Sequence, residues 1–289
     1  MRSSLADAAL AAVLAASTVF ASPALAQGFV TEREEWATEV VRRPLTLAPQ
    51  QWELTVPVGI NLSDGAEGEP VFLNPSFKVG ITDRLTVGIR HFLGVCLNEE
   101  EEGCPEPYND LSGELIFSLA RSAGLEVAGA VALNLAPIVD DLAVAGEARL
   151  MFRTGGEVAA LTIAPTLNFG VNDREEGPKR FGVGTNFGTY DVLVPQNALE
   201  NKEWLLVPAT LQIQLGPTFA VAVSAAVNGP LNPEVGDYAD YWTVPVAAAA
   251  VLTPVRSLDI GAALTFPRLL GEDDDADERL ISAFIALRR

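Results

Sequence analysis

The sequence is poor in the side chains from which metal and catalytic centres are usually built. Its 289 residues include one histidine, His91, and two cysteines, Cys96 and Cys104. A structural zinc site takes about four such ligands, so these three residues do not suffice for one. A serine hydrolase needs a histidine beside its nucleophile, and His91 is the only candidate. We therefore predict that the chain is not an enzyme and that it has no catalytic residue, no metal centre and no cofactor.

Basic residues are scarce as well. The chain has 19 Lys and Arg residues against 38 Asp and Glu residues, which gives a formal net charge of −19. Because phosphate backbones are bound by basic surfaces, this balance excludes nucleic acid as a partner. The acidic runs at residues 99–102 and 272–278 offer carboxylates to divalent cations. Neither run has the spacing of a calcium loop, so solvated surface charge is the simpler interpretation.

Long apolar runs are confined to the N-terminus. Arg2, the uncharged run at residues 8–20 and the small residues Ala24 and Ala26 stand in the order of a secretory signal peptide that is cleaved before Gln27. The alternative, a transmembrane anchor, would need about 20 apolar residues. No later segment offers 18 uncharged apolar residues at helical spacing, which excludes a helical membrane protein.

The rest of the chain alternates between apolar and polar residues with a period of two. In residues 52–62 every second side chain is apolar, while Glu53, Thr55 and Asn61 lie on the opposite face. A strand of about eleven residues is long for a soluble sheet and fits a tilted membrane crossing. The pattern predicts twelve strands, at residues 52–62, 71–81, 85–95, 111–120, 125–135, 142–153, 157–171, 204–215, 218–228, 241–252, 258–266 and 279–289.

The connectors between these strands alternate between short and long. The six long connectors hold 26 of the 37 acidic residues that follow the signal peptide and only four basic ones, a net charge of about −22. A soluble β-sandwich, the alternative fold, gives no reason for such segregation. Cys96 and Cys104 share one long connector, and in an exported chain we expect them to form a disulfide.

These features resemble bacterial outer-membrane β-barrel proteins of the porin and transporter-like class. The segment KVGITDRLTVGI at residues 78–89, two apolar-faced strands joined by a short turn, is typical of that class. The resemblance implies an all-β, membrane-spanning, antiparallel up-and-down barrel of about twelve strands over residues 51–289. It also implies a location in the cell outer membrane and contact with lipid, lipopolysaccharide and the barrel-assembly machinery. Such barrels commonly end in an aromatic residue, whereas this chain ends in Arg288 and Arg289, which leaves the register of the last strand open.

In a closed barrel the polar face of each strand must point into the lumen. Two interpretations of these polar side chains stay open: a wetted lining that sorts solutes, or a network of ion pairs that fills the interior. The predicted lumen-lining residues are Glu53, Lys78, Arg90, Glu114, Glu126, Glu147, Arg149, Asn168, Gln212 and Gln214.

Residues 27–50 differ from the strands that follow. Residues 32–43 have the pattern of a short amphipathic helix that ends before Pro44. The segment is expected either to remain as a periplasmic leader, which the sequence favours, or to enter the lumen as a plug with Trp36 and Val40 packed inside.

The first functional hypothesis is a passive channel or transporter for small solutes, of the cationic or the hydrophobic class. Its acidic connectors would concentrate cations, including divalent ones, at the outer mouth. The alternative is a structural, adhesive or receptor barrel with an occluded lumen that acts through its acidic extracellular loops. An outer-membrane lipase or protease is a third hypothesis.

Overall fold

The computed structural model describes residues 36–63, 68, 71–91, 95–97, 110–135, 138, 142–172, 183–187, 190–194, 203–231, 242–270 and 278–289. The predicted signal peptide, Cys104, residues 99–102 and residues 272–277 lie outside these ranges, so the signal cleavage and the disulfide stay predictions. In the described part of the chain no helix is long and apolar enough to cross a membrane.

The described residues form long antiparallel strands. Their bounds are β1 (Trp52–Asn61), β2 (Val71–Leu73), β3 (Ser76–Thr82), β4 (Leu85–Arg90), β5 (Val95–Cys96), β6 (Leu111–Ser122), β7 (Leu125–Leu135), β8 (Val144–Gly155), β9 (Ala159–Ile163), β10 (Thr166–Gly170), β11 (Val183–Phe187), β12 (Tyr190–Val194), β13 (Trp204–Gly216), β14 (Phe219–Pro230), β15 (Val244–Val255), β16 (Leu258–Leu270) and β17 (Leu280–Arg288).

These strands make twelve crossings of one sheet. Three crossings are built from two successive strands each: β2 with β3, β4 with β5, and β9 with β10. Pro75 and Pro165 stand at two of the interruptions, where the missing backbone N–H cannot join the ladder. Strands β11 and β12 form a separate hairpin between the seventh and eighth crossings. The strand number that was predicted from period two is confirmed.

The sheet closes on itself because the last strand pairs with the first. Strands β1 and β17 run antiparallel from the pair Glu53 and Arg288 to the pair Asn61 and Leu280. Closure leaves no free sheet edge, which is the requirement for strands in a bilayer. An even number of crossings puts both ends of the barrel wall at the short-turn end, which is the periplasmic end in outer-membrane barrels.

The two faces of the wall have the reverse polarity of a soluble protein. Outward side chains such as Leu115, Val223 and Ile285 are 45–55% exposed, whereas the inward Glu114 and Ser224 are at most 2% exposed. An apolar outer surface of this kind is placed in lipid, where every backbone group is already bonded within the sheet.

The last strand, whose register was open, follows the same alternation. Ile281, Ile285 and Leu287 face outward and are exposed, while Phe284 and Arg288 face inward and are buried. Inward Phe284 lies over Gly261 of the neighbouring strand, where an added Cβ would come within 2.2 Å of the ring. Glycine at this position therefore makes room for the aromatic ring.

Residues 36–51, here called the strap, lie inside the barrel at its short-turn end. Their apolar side chains Trp36, Val40, Val41 and Leu47 are at most 4% exposed. The placement as a periplasmic leader, which the sequence favoured, therefore does not hold for these residues.

The amphipathic helix predicted over residues 32–43 is absent from the described part of the strap. One 3-10 turn, Val40–Arg42, stands in its place. The barrel wall binds backbone groups at this turn and just after it: Arg153 donates to the carbonyl of Val40 at 3.0 Å, and Glu126 accepts from the Leu45 N–H at 2.7 Å. These hydrogen bonds hold the strap against the wall.

Candidate functional site: the barrel lumen

All ten predicted lumen-lining residues lie on inward-facing positions of the strands. Glu53, Lys78, Glu114, Glu126, Glu147, Asn168 and Gln212 are buried, and Arg90, Arg149 and Gln214 are half-buried. The charged members are held in ion pairs or hydrogen bonds, which divide into one group around the strap and one group beyond it. Whether they line an open path stays a prediction.

The most buried group surrounds Arg43 of the strap. Its guanidinium forms two hydrogen bonds with Asp259 of β16, Nη1 to Oδ2 at 2.7 Å and Nη2 to Oδ1 at 3.1 Å. The same carboxylate accepts from Thr253 Oγ1 at 2.6 Å and from Arg288 Nη2. Arg288 Nε also donates to Glu53 Oε2 at 2.5 Å. The charges of two arginines and two carboxylates thus cancel where the barrel closes. This pairing offsets the free-energy cost of burying each charge.

A second set of contacts holds the middle of the strap to β6 and β7. Glu126 accepts from the Leu45 N–H through one oxygen and from Arg121 through the other, at 2.5 Å from Nη2. Arg121 Nη2 also donates to Thr46 Oγ1 at 2.7 Å. The strap therefore supplies a hydrogen bond that water would otherwise give to the fully buried carboxylate of Glu126.

Arg153 of β8 holds the 3-10 turn of the strap to the wall. Its Nη2 donates to the carbonyls of Val40 and Val41 at 3.0 and 3.3 Å and to Gln212 Oε1 at 2.8 Å. Its Nη1 donates to Thr162 Oγ1 at 3.1 Å. One side chain thereby joins β8, β9 and β13 to the strap.

The end of the strap runs beside β3 with no room for a side chain. Gln50 N–H donates to the carbonyl of Gly80, and Gly80 N–H donates to the carbonyl of Gln51, both at 2.8 Å. A Cβ built at Gly80 would lie 2.1 Å from the Ala48 carbonyl oxygen and 2.7 Å from that of Leu47. Gly80 is therefore required by the close approach of two backbones.

Apolar contacts complete the fit of the strap. Val40 packs in a cluster with Val251, Phe284 and inward alanines of β14–β17. Leu45 packs in a second cluster with Ile116, Met151 and inward alanines of the other wall. The small side chains of the wall leave the space that the strap fills.

The remaining charged group lies beyond the strap, toward the long-connector end. Glu147 of β8 accepts from Arg90 Nη2 at 2.7 Å and from Arg149 Nη2 at 2.5 Å. Lys78 Nζ lies 3.5 Å from Glu114 Oε1. These five side chains follow the inner face of the wall from β3 to β8.

The hairpin of β11 and β12 lies at the long-connector end. Its backbone approaches β13 and β14 on one side and β16, β17 and β1 on the other. The hairpin therefore lies close to strands of the alanine-rich wall.

His91 lies against a buried carboxylate. Its Nδ1 lies 2.6 Å from Asp110 Oδ1, and about three quarters of its side chain is buried. The residue follows the end of β4, so strict alternation no longer applies to it. Among the described residues no group of three His, Cys, Asp or Glu side chains is placed to hold a metal ion.

Of the wall residues that hold the strap, sequence reasoning selected Glu126 but not several of the others. Asp259, Arg153 and Arg288 were not among the ten predicted residues, although strand alternation places Asp259 and Arg153 inward. Arg43 could not be found by periodicity, because it lies outside the strands. Two adjacent arginines, Arg42 and Arg43, in the segment that precedes a barrel with many inward acids were the available signal.

Comparison with known proteins shows similarity in fold. No protein-family model and no curated protein sequence matches the chain. Among solved structures, the NanC porin is 9% identical, with a TM-score of 0.53 over 81% of this chain and 97% of the porin. An outer membrane channel from Pseudomonas putida F1 is 10% identical, with a TM-score of 0.54 over 84% of this chain and 97% of that channel. The chain therefore shares the fold of twelve-stranded outer-membrane barrels.

Proposed function

We propose that the protein is a passive outer-membrane channel for small solutes, and that the strap closes its periplasmic half. The observation that carries this proposal is that a separate segment, the strap, fills the barrel interior where the wall side chains are small. A barrel that is filled by its own wall needs large inward side chains. Here Ala220, Ala222, Ala247 and Ala249 face inward, and a separate segment fills the space beside them. Because the strap is joined covalently to the wall only through β1, it can move out of the lumen without breaking the hydrogen bonds of the sheet.

The solute preference is a finer part of the proposal. The acidic connectors would raise the concentration of cations at the outer mouth. The alanine-rich wall would accept the hydrophobic part of a solute. Cationic and hydrophobic molecules are thus the classes that the mouth and this wall favour.

Liposome swelling tests the proposal. Liposomes containing the barrel without residues 27–50 should swell in isotonic arabinose and more slowly in a disaccharide, whereas the intact protein should give little swelling. Equal, background swelling with both proteins would contradict the proposal. A heat-dependent shift in gel mobility of both proteins would establish that each barrel is folded.

A second candidate function is supported by the burial of the interior. The inward side chains in the middle of the described barrel strands are buried or half-buried. This burial suits a structural, adhesive or receptor barrel with a permanently occluded lumen. Such a barrel would give no swelling after removal of residues 27–50, and deletion of residues 173–202 would abolish its activity.

A further inference from the structure

We infer that the barrel wall beneath the strap binds an organic cation with an apolar body, and that Val40 and Arg43 of the strap occupy this site in the closed channel. The site, here called the closure site, consists of Asp259, Phe284 and the inward alanines beside them on β14–β17. This inference rests on the proposed channel function and deepens it, because it places the positive charge and the apolar group in one solute.

The polar end of the closure site is the carboxylate of Asp259. It accepts four hydrogen bonds, two from Arg43, one from Thr253 and one from Arg288. Two of the four therefore come from the strap. Glu53 lies in the same group and is bound by Arg288. When the strap leaves, the group loses one positive charge, and an ammonium or guanidinium group of a solute would restore it.

The apolar end lies on the same wall. Gly261 stands two residues after Asp259 on β16, a distance of about 7 Å along the strand. The ring of Phe284 covers this glycine, where an added Cβ would come within 2.2 Å of the ring. Phe284 belongs to a buried cluster with Ala263 and Ala286 that contains no charged residue. The wall therefore offers an apolar surface beside the carboxylate.

The strap presents matching chemistry to this wall. Arg43 N–H donates to the carbonyl of Val40 at 3.3 Å, across the 3-10 turn. Residues three apart in such a turn lie on the same side of it. Val40 packs in the apolar cluster and Arg43 binds Asp259. One apolar group and one cation, close together, are thus the ligand that the closure site already holds.

The rest of the wall makes no such demand for a cation. Glu126 receives from the strap only the neutral N–H of Leu45, and it keeps the guanidinium of Arg121 when the strap leaves. Arg153 binds only carbonyl groups of the strap. Among the described contacts, the loss of a charged partner on opening therefore falls on Asp259.

The strap and the solute would compete for the same contacts. A ligand that binds only the open state increases the population of that state. The solute would therefore promote the opening of its own path, and the effect can be measured on the intact mature protein without any conductance.

The experiment is hydrogen–deuterium exchange of the strap in the folded, intact mature chain. The amides of Leu45 and Leu47 are the reporters, because they donate to Glu126 and Thr86 of the wall. The probe is phenethylammonium, and phenethyl alcohol is its neutral counterpart of similar size. At ten times its dissociation constant the cation should raise the open fraction, and with it the exchange rate, roughly tenfold. The alcohol should leave the rate near its starting value.

Two variants separate the closure site from general loosening of the strap. Ala263→Val narrows the closure site, and Ala130→Val adds the same two methyl groups to the apolar cluster around Leu45. Both changes should raise the exchange rate without a probe, but only Ala263→Val should reduce the further increase caused by phenethylammonium.

Equal increases with the cation and the alcohol, no increase with either, or equal responses of the two variants would overturn this inference. None of these outcomes bears on conductance. The proposed channel function would fail separately, if the folded barrel without residues 27–50 gave no conductance.

Discussion

Arg43 and Asp259 lie 216 positions apart in the chain and form a bidentate ion pair with both side chains fully buried. The pair joins the strap to the beginning of β16, at the short-turn end of the neighbouring strands β15, β16, β17 and β1. Removing one partner of a buried ion pair generally costs about 3–5 kcal/mol. Loss of Arg43 should therefore weaken the attachment of the strap to the wall.

Arg43→Gln should loosen the strap and leave the barrel intact. Asp259 keeps Arg288 and Thr253 as partners, so the loss should be about 2–3 kcal/mol, at or below the lower end of the range for broken buried pairs. We expect brief openings in planar bilayers where the intact protein shows few. Arg42→Gln, one position earlier, is the matched control, and equal opening by both variants would contradict this role of Arg43.

Gly80→Ala should displace the end of the strap. The added Cβ would overlap the Ala48 carbonyl oxygen at 2.1 Å, and backbone atoms cannot move aside as a flexible side chain can. Trypsin should then cleave after Arg42 in the folded protein, as detected by mass spectrometry. Gly113→Ala is the control, because no atom lies within 4 Å of its added Cβ. Resistance of the Gly80→Ala protein to cleavage would show that the strap tolerates the side chain.

Arg288→Gln should impair closure of the barrel. It removes the arginine that binds Glu53 and one of the two arginines that bind Asp259, in the strand pair that seals the sheet. The expected loss in the free energy of unfolding is about 3–5 kcal/mol, measured by urea titration in detergent micelles. Arg289→Gln should change it by less than about 0.5 kcal/mol, because that side chain is exposed. Similar losses for the two variants would exclude a specific role for Arg288.

The fold could be predicted from the sequence because a membrane barrel imposes one rule on every strand. Lipid selects Leu, Val and Ile on one face, and the lumen admits polar residues on the other, so alternation in single strands already gives the architecture. Even β17, with Arg288 at its end, follows this rule once its pairing with β1 is known. The strand breaks at Pro75 and Pro165 were not predicted, because alternation continues across them.

The placement of the strap could not be predicted in the same way. Its position depends on contacts with residues far along the chain, such as Arg43 with Asp259 and Leu45 with Glu126. Its local pattern indicated a helix, whereas the described part contains one 3-10 turn that is held against the wall. The inward alanines of β14–β17 indicated unfilled space but did not identify what fills it.

The placement of the outer face in the bilayer can be tested by introducing arginine at different depths and comparing the losses in the free energy of unfolding. Val223 lies near the middle of β14 and is 55% exposed, whereas Leu215 lies at the short-turn end of β13 and is 61% exposed. Val223→Arg should lower the free energy of unfolding in lipid by about 2–4 kcal/mol, and Leu215→Arg by about 0–1 kcal/mol. Equal costs at the two positions would contradict placement of the outer face in lipid.

The most direct test of the closed channel is single-channel conductance of two purified proteins, the intact mature chain and the same chain without residues 27–50. Both should show a heat-dependent gel shift as folded barrels. We expect stable conductance steps from the shortened protein and rare or no steps from the intact one, because the strap fills the periplasmic half. Absence of conductance from both proteins would contradict the channel function, and equal conductance would contradict closure by the strap.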